Sequence, residues 1–229
     1  MMKNQSEHAR ETGSLPHDEA DENLSARAYR LLEERLVTLA LKPGEILTEA
    51  RLMAALDMGR TPVREAVQRL SWEGLLAIRP RHGIEVTQLD PKDYPRVIAA
   101  RNGLEQLLTS SAARLASPPH REALKACAAV MRQAAATTDT MEYYRQDKIV
   151  DGLIADASAN PFAVRALIPL QTHSRRFWFR YHEAADLTEA VALHVEWIDT
   201  ITSGDIGAAT TCITRLLANL QARADKVAG

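Results

Sequence analysis

The stretch DMGRTPVREAVQRLSWEGL, residues 57–75, sets Arg60 and Arg64 one helical turn apart, behind Gly59 and on either side of Pro62. Val63, Val67 and Leu70 recur at helical spacing with Ala66 beside them, while Arg60, Arg64 and Gln68 form a second line at i, i+4 and i+8. The pattern predicts a helix from about Arg60 to Glu73, ended by Gly74, that packs with one face and offers the other. Pro62 suits a first turn, where its missing N–H is not needed. Arginine near the start of such a helix is the side chain best shaped to grip a guanine edge, and the free N–H groups around Gly59 and Thr61 suit a phosphate.

The segments on either side agree. NLSARAYRLLEERLVTLAL carries Ala28, Leu31, Leu32, Leu36 and Leu39 at helical spacing, with Asn23 or Ser25 as cap, and Pro43 and Gly44 then force a turn. TEARLMAAL predicts a short helix capped by Thr48 with Leu52, Met53 and Leu56 inward, and only Asp57, Met58 and Gly59 separate it from the next helix. Two short runs, Leu75–Ile78 and Ile84–Leu89, flank RPRHG and predict a hairpin turned at Gly83. Helix, short helix, tight turn, helix and hairpin is the order of a winged helix-turn-helix over residues 23–89.

Charge is distributed to match. The chain of 229 residues has a formal charge of −2, yet residues 59–83 hold five arginines against Glu65 and Glu73. A local basic patch on a near-neutral chain is the footprint of a small DNA-reading surface, with Arg51, Arg81 and His82 as further contacts. Residues 1–22 are polar and mostly acidic and are expected to form a disordered tail. Cys127 and Cys212 are too few for a disulfide framework, and no stretch is apolar enough to span a bilayer, so a cytoplasmic protein with no membrane partner is expected.

From residue 90 to 229 the texture is helical throughout. About six segments repeat apolar residues at spacings of three and four, beginning with Val97, Ala100, Leu104, Leu107 or Leu108, and Ala112. The fold expected is therefore mainly α: the winged helix-turn-helix with its small β-hairpin wing, followed by an all-helical bundle. Phosphate loops, nucleophile elbows and repeated modules are missing from the sequence.

The stretch from Leu41 to Val86 resembles the N-terminal domain of the GntR family of bacterial transcription regulators, in its Pro-Gly turn, its RTPVREA core, its Gly-Leu-Leu helix end and its wing glycine. The resemblance implies that Arg60 and Arg64 read bases, that Thr61 touches phosphate and that Gly83 enters the minor groove. Gly59 stands where the family usually has serine, and Ala50, with Arg51 next to it, where it often has arginine. The helical part resembles the FCD domains of the FadR-like branch, through DYPRVIAARNGLEQLLTSSAARLA, DKIVDGLIADASANPF and ALHVEWIDTITSGDIGAA. That resemblance implies an effector cavity that includes Arg101, Asp147, Asp151, Asn160 and His194.

Many such domains hold a divalent metal with one Asp and three His. Here Asp147 and His194 remain, Asp151 replaces the first His and Leu216 the last, so Asp147, Asp151 and His194 are the candidate ligands for Zn, Mn or Fe. Two aspartates one turn apart repel, and a cation between them relieves this. The cation is a metal or an arginine such as Arg101, Arg175 or Arg176; a solvated acidic pair beside a core histidine is the alternative. Phe177, Trp178 and Tyr181 read as core, and Arg175, Arg176 and Arg180 as surface residues or as partners of an effector carboxylate.

The expected protein is a non-enzymatic, homodimeric repressor that binds a double-stranded DNA operator under control of a small carboxylate or sugar acid. The competing reading is a helical metal-dependent enzyme using Asp147, Asp151 and His194, with the winged part serving assembly. A third is a winged domain used only for protein contacts.

Overall fold

A computed structural model describes residues 23–229; the expected tail, residues 1–22, lies outside them. The first helix, α1 (Leu24–Val37), begins where the Asn23 side chain accepts the Ala26 N–H at 2.8 Å. β1 (Ile46–Leu47) leads into α2 (Glu49–Leu56), capped by Thr48, whose hydroxyl accepts the Arg51 N–H at 3.2 Å. α3 (Arg60–Trp72) starts at Gly59, which offers no side-chain cap, and ends before Gly74, whose φ of 78° is the left-handed stop that glycine adopts without strain. β2 (Leu76–Arg79) and β3 (Gly83–Val86) form the antiparallel hairpin.

The hairpin gains a third strand that periodicity does not announce. β1 pairs antiparallel with β3, Ile46 opposite Glu85 and Leu47 opposite Ile84, in the order β1-β3-β2. Two residues are too few to show an alternation. β3 also stops at Val86, short of the expected Leu89, because Thr87 turns its N–H and hydroxyl onto the Leu75 carbonyl.

Six helices follow: α4 (Asp93–Leu115), α5 (Pro118–Thr137), α6 (Thr140–Ser158), α7 (Pro161–Tyr181), α8 (Ala184–Ser203) and α9 (Ile206–Ala228). The long α4 packs on α6, α7, α8 and α9 and is the axis of the bundle. Its buried line runs through Tyr94, Ile98, Leu108 and Ala112, not through Ala100, which is exposed. That line also contains Glu105, a buried carboxylate that the apolar spacing gives no reason to expect.

Buried apolar residues fall into two clusters. One gathers Leu32, Leu36, Leu52, Val63, Val67, Leu70, Ile84 and Val86 from α1 to β3; the other gathers Ile98, Met131, Val150, Phe177, Trp197 and Leu217 from the six later helices. α1 lies against α7, so the two cores are joined through a contact between their flanking helices. Among the described residues, no helix is long and apolar enough to cross a membrane.

Candidate functional site

At the start of α3 the two lines expected from the sequence separate cleanly. Val63 and Leu70 are fully buried, while the Arg60 and Arg64 side chains are 72% and 57% exposed. Both guanidiniums lean towards Glu49 at the start of α2, at 3.9 and 3.5 Å. Exposed ion pairs of this kind contribute at most about 1 kcal/mol, so they steer the arginines without holding them back. Thr61 is exposed on the first turn, and Arg51 is paired with Glu45 at 2.7 Å.

The hairpin tip consists of Pro80, Arg81 and His82, all exposed, with Arg79 paired to Glu85 at 2.8 Å below it. Arg81 adopts a left-handed φ of 65°, and the His82 Nδ1–H donates to the Pro80 carbonyl at 2.9 Å. Gly83 has an internal reason for being glycine, since a Cβ there would stand 2.6 Å from the Leu47 carbonyl oxygen of β1 at a φ of +100°. Together these elements form a winged helix-turn-helix whose third helix presents two arginines.

The second site lies inside the bundle. A cavity with a free volume of about 40 Å3 is lined by Arg101 of α4, Tyr143, Tyr144 and Asp147 of α6, Gln171, Ser174, Arg175 and Trp178 of α7, His194 of α8 and Leu216 of α9. Arg101 donates to Glu105 at 2.7 Å and to the Ser174 hydroxyl at 2.7 Å. Arg175 spans the acidic pair: its Nε–H donates to Asp147 at 2.5 Å and its terminal nitrogen to Asp151. The sequence left a metal or one of several arginines open for this position, and the guanidinium of Arg175 stands there.

The same geometry sets an arginine among Asp147, Asp151 and His194, the residues expected as metal ligands. Both carboxylates are engaged by Arg175. His194 has its Nδ1 2.8 Å from the Ala190 carbonyl and 3.4 Å from the Tyr143 hydroxyl, and its Nε2 3.0 Å from Asp147. Leu216 lines the cavity at the fourth position. Among the described residues, no three His, Cys, Asp or Glu side chains are grouped to hold an ion.

Electrostatics follow the contacts. Burial pushes the Asp147 carboxyl up, but Arg175 and His194 override it and hold it well below the usual range. Burial likewise raises Asp151, opposed by Arg175 and reinforced by the Asp147 charge, so Asp151 is the member of the pair that protonates first. Burial alone would lower the His194 pKa; the bond to Asp147 outweighs it and raises the value.

Asn160 is not part of this cavity; it caps α7 by accepting the Ala163 N–H at 3.2 Å. Asp151 lies on its far side and lines a larger neighbouring cavity of about 240 Å3, between the bundle and Tyr29, Glu33 and Arg69 of the winged part. Arg175 and Arg176 are not surface residues: Arg175 faces both cavities, and Arg176 is fully buried, donating to the Thr87 hydroxyl and carbonyl at 3.0 and 2.6 Å.

Sequence reasoning missed what lies on the back of α7. Gln171, Ser174, Arg175 and Trp178 face the cavity. Thr172, His173 and Arg176 face the winged part. Thr172 donates to the buried Glu33 of α1 at 2.8 Å, and His173 Nε2–H donates to the Glu73 carbonyl at the end of α3 at 2.8 Å. Glu33 is also paired with Lys148 of α6. The only sequence signal was Glu33 itself, a carboxylate next to the apolar line of Leu32 and Leu36.

Fold and site thus define a DNA-binding regulator of the winged helix-turn-helix class with a helical second part. Residues 24–86 match the bacterial regulatory proteins of the GntR family, and residues 96–219 match the FCD domain. The chain belongs to the GntR family of transcription regulators and carries an FCD domain. It is 28% identical over 186 residues, 81% of this chain and 78% of the other, to an uncharacterized HTH-type transcriptional regulator in an unstable DNA locus of Streptomyces ambofaciens. It is 30% identical over 96 residues, 41% of this chain and 40% of the other, to the HTH-type transcriptional repressor RspR of Escherichia coli. Among solved structures, E. coli McbR/YncC shares the fold with a TM-score of 0.76 at 20% identity, over 90% of this chain and 98% of that one.

Proposed function

We propose that this regulator acts as a homodimeric repressor on a palindromic DNA operator, which it releases when a small carboxylate or sugar acid enters the bundle cavity. The observation that carries the reading is the pair Arg60 and Arg64, exposed on a helix whose opposite face is locked into the core. Rigid donors at the start of a recognition helix are placed to read base edges, with Thr61, Arg51 and the wing residues Arg81 and His82 at the backbone and Gly83 keeping the wing close to β1. One winged helix covers too few base pairs for specificity, so two copies related by a two-fold axis are required.

Control by a ligand is supported by α7, which has the cavity on one face and the winged part on the other. Couplings between such sites amount to about 1–3 kcal/mol, enough to change operator affinity by roughly 5–150-fold. Repression is supported by RspR, a transcriptional repressor, and by the relative from Paenarthrobacter nicotinovorans, a probable D-xylose utilization operon transcriptional repressor that is 26% identical over 76% of this chain.

The test is to select a preferred duplex from a random pool and then screen small carboxylates and sugar acids for release. One acid that lowers affinity for the selected duplex, and loses that effect in Arg101→Ala, is the expected result. An unchanged affinity with every acid would remove the effector from the account.

A further inference from the structure

The helical domain of this chain is similar to domains in which an Asp and three His hold a divalent metal, but the electrostatic work of that ion is already done here by a side chain. Asp147 and Asp151 lie one turn apart on α6, and the buried guanidinium of Arg175, reaching across from α7, donates to both. The two charges that would repel each other are therefore bridged by a cation that is covalently part of the protein. A planar guanidinium fits two carboxylates with paired donors, which is the geometry arginine supplies and a spherical ion does not.

The other would-be ligands are also committed. His194 directs both nitrogens at acceptors, and Leu216 places a methyl-bearing side chain where a fourth ligand would stand. What remains without a protein partner is the Tyr144 hydroxyl, buried and on the cavity wall. A buried hydroxyl left unpaired is expensive, and its usual resolution is a partner supplied by water or a ligand.

We propose that Arg175 is the permanent cation of the effector cavity, taking the place of a metal, so that an organic acid is bound by side chains alone, with the Tyr144 hydroxyl as its unengaged donor. This rests on the reading of that cavity as the effector site. The experiment therefore uses neither operator nor effector.

Purified full-length protein and the Arg175→Ala variant are stripped of metal, dialysed against Mn2+ or Zn2+, and analysed for bound metal and for thermal stability. Wild type should retain no site-specific metal. Arg175→Ala, which uncovers Asp147 beside His194 on the cavity wall and Asp151 one turn along α6, should take up about one equivalent per chain, a mixed oxygen and nitrogen set that suits these ions. Its melting temperature should rise on loading and fall again with chelator. Arg175→Gln, which fills the same space without charge, serves if the alanine variant does not fold. Metal in the wild type that Asp147→Asn removes would overturn the proposal, and so would a folded Arg175 variant that binds none.

Discussion

In the proposed function Arg60 and Arg64 are the residues on which recognition turns, because they combine exposure with a rigid base. Each bidentate contact to a base is worth about 1–3 kcal/mol of discrimination, so replacing either arginine by alanine should weaken specific binding by roughly 10- to 100-fold. Val63, Val67 and Leu70 lie on the other face and are untouched by the change, so melting temperature should stay within a degree or two, as a scan of the variants will show. Gly59 offers the complementary case. Its φ of −68° is open to any residue and nothing lies within 4 Å of a built Cβ. Gly59→Ser should therefore add a capping hydroxyl that accepts the Thr61 N–H, Pro62 having none to offer, and stabilise the fold by a few tenths of a kcal/mol, measurable by chemical denaturation.

The helix α7 is where the two parts of the molecule meet, and His173 is its most exposed weakness. Its Nε2–H bonds the Glu73 carbonyl, and burial lowers its pKa, with Glu73 opposing and Arg176 assisting. The folded state thus holds His173 neutral, while the unfolded chain takes up a proton below its ordinary pKa of 6.5. Protons then bind preferentially to the unfolded state, and stability falls as pH drops through 6.5. His173→Gln keeps a donor for the carbonyl and removes the titration. Melting curves between pH 5.5 and 7.5 should show a shallower loss in the variant than in wild type; parallel curves would remove His173 from the interface energetics.

The same helix shows how much could be read in advance. α1, α2, α3 and the hairpin were legible because caps, turn residues and apolar spacing are local signals, and Asn23, Thr48 and Gly74 each act within a few residues of where they stand. β1 was not, since its two residues owe their conformation to β3, some forty positions later. Asp147 and His194 could be placed from motif resemblance, but Arg175 was one of several cations that could meet the aspartates, and only packing of α6 on α7 decides among them. Thr172 and Arg176 carried no signal, because a buried polar residue is recognised by its partner, and those partners are 139 and 89 positions away.

At the scale of the whole molecule, α7 has the bundle cavity on one face and the winged part on the other. The Arg175 face of α7 closes the cavity, and the Thr172 and Arg176 face holds α1 and the Thr87 segment that follows the wing. A ligand that moves the first face by less than a helical turn also moves the second, which is the structural content of the proposed control. The central claim is nonetheless that the reader reads DNA by sequence through α3. Its most direct test is fluorescence anisotropy of a labelled, selected operator and a scrambled duplex at one fixed salt concentration, with wild type and the Arg60→Ala/Arg64→Ala double variant. The account predicts that wild type prefers the operator and that the double variant, folded and equally stable, binds both duplexes at the weak level of the scrambled one. Undiminished preference for the operator in the double variant would contradict it.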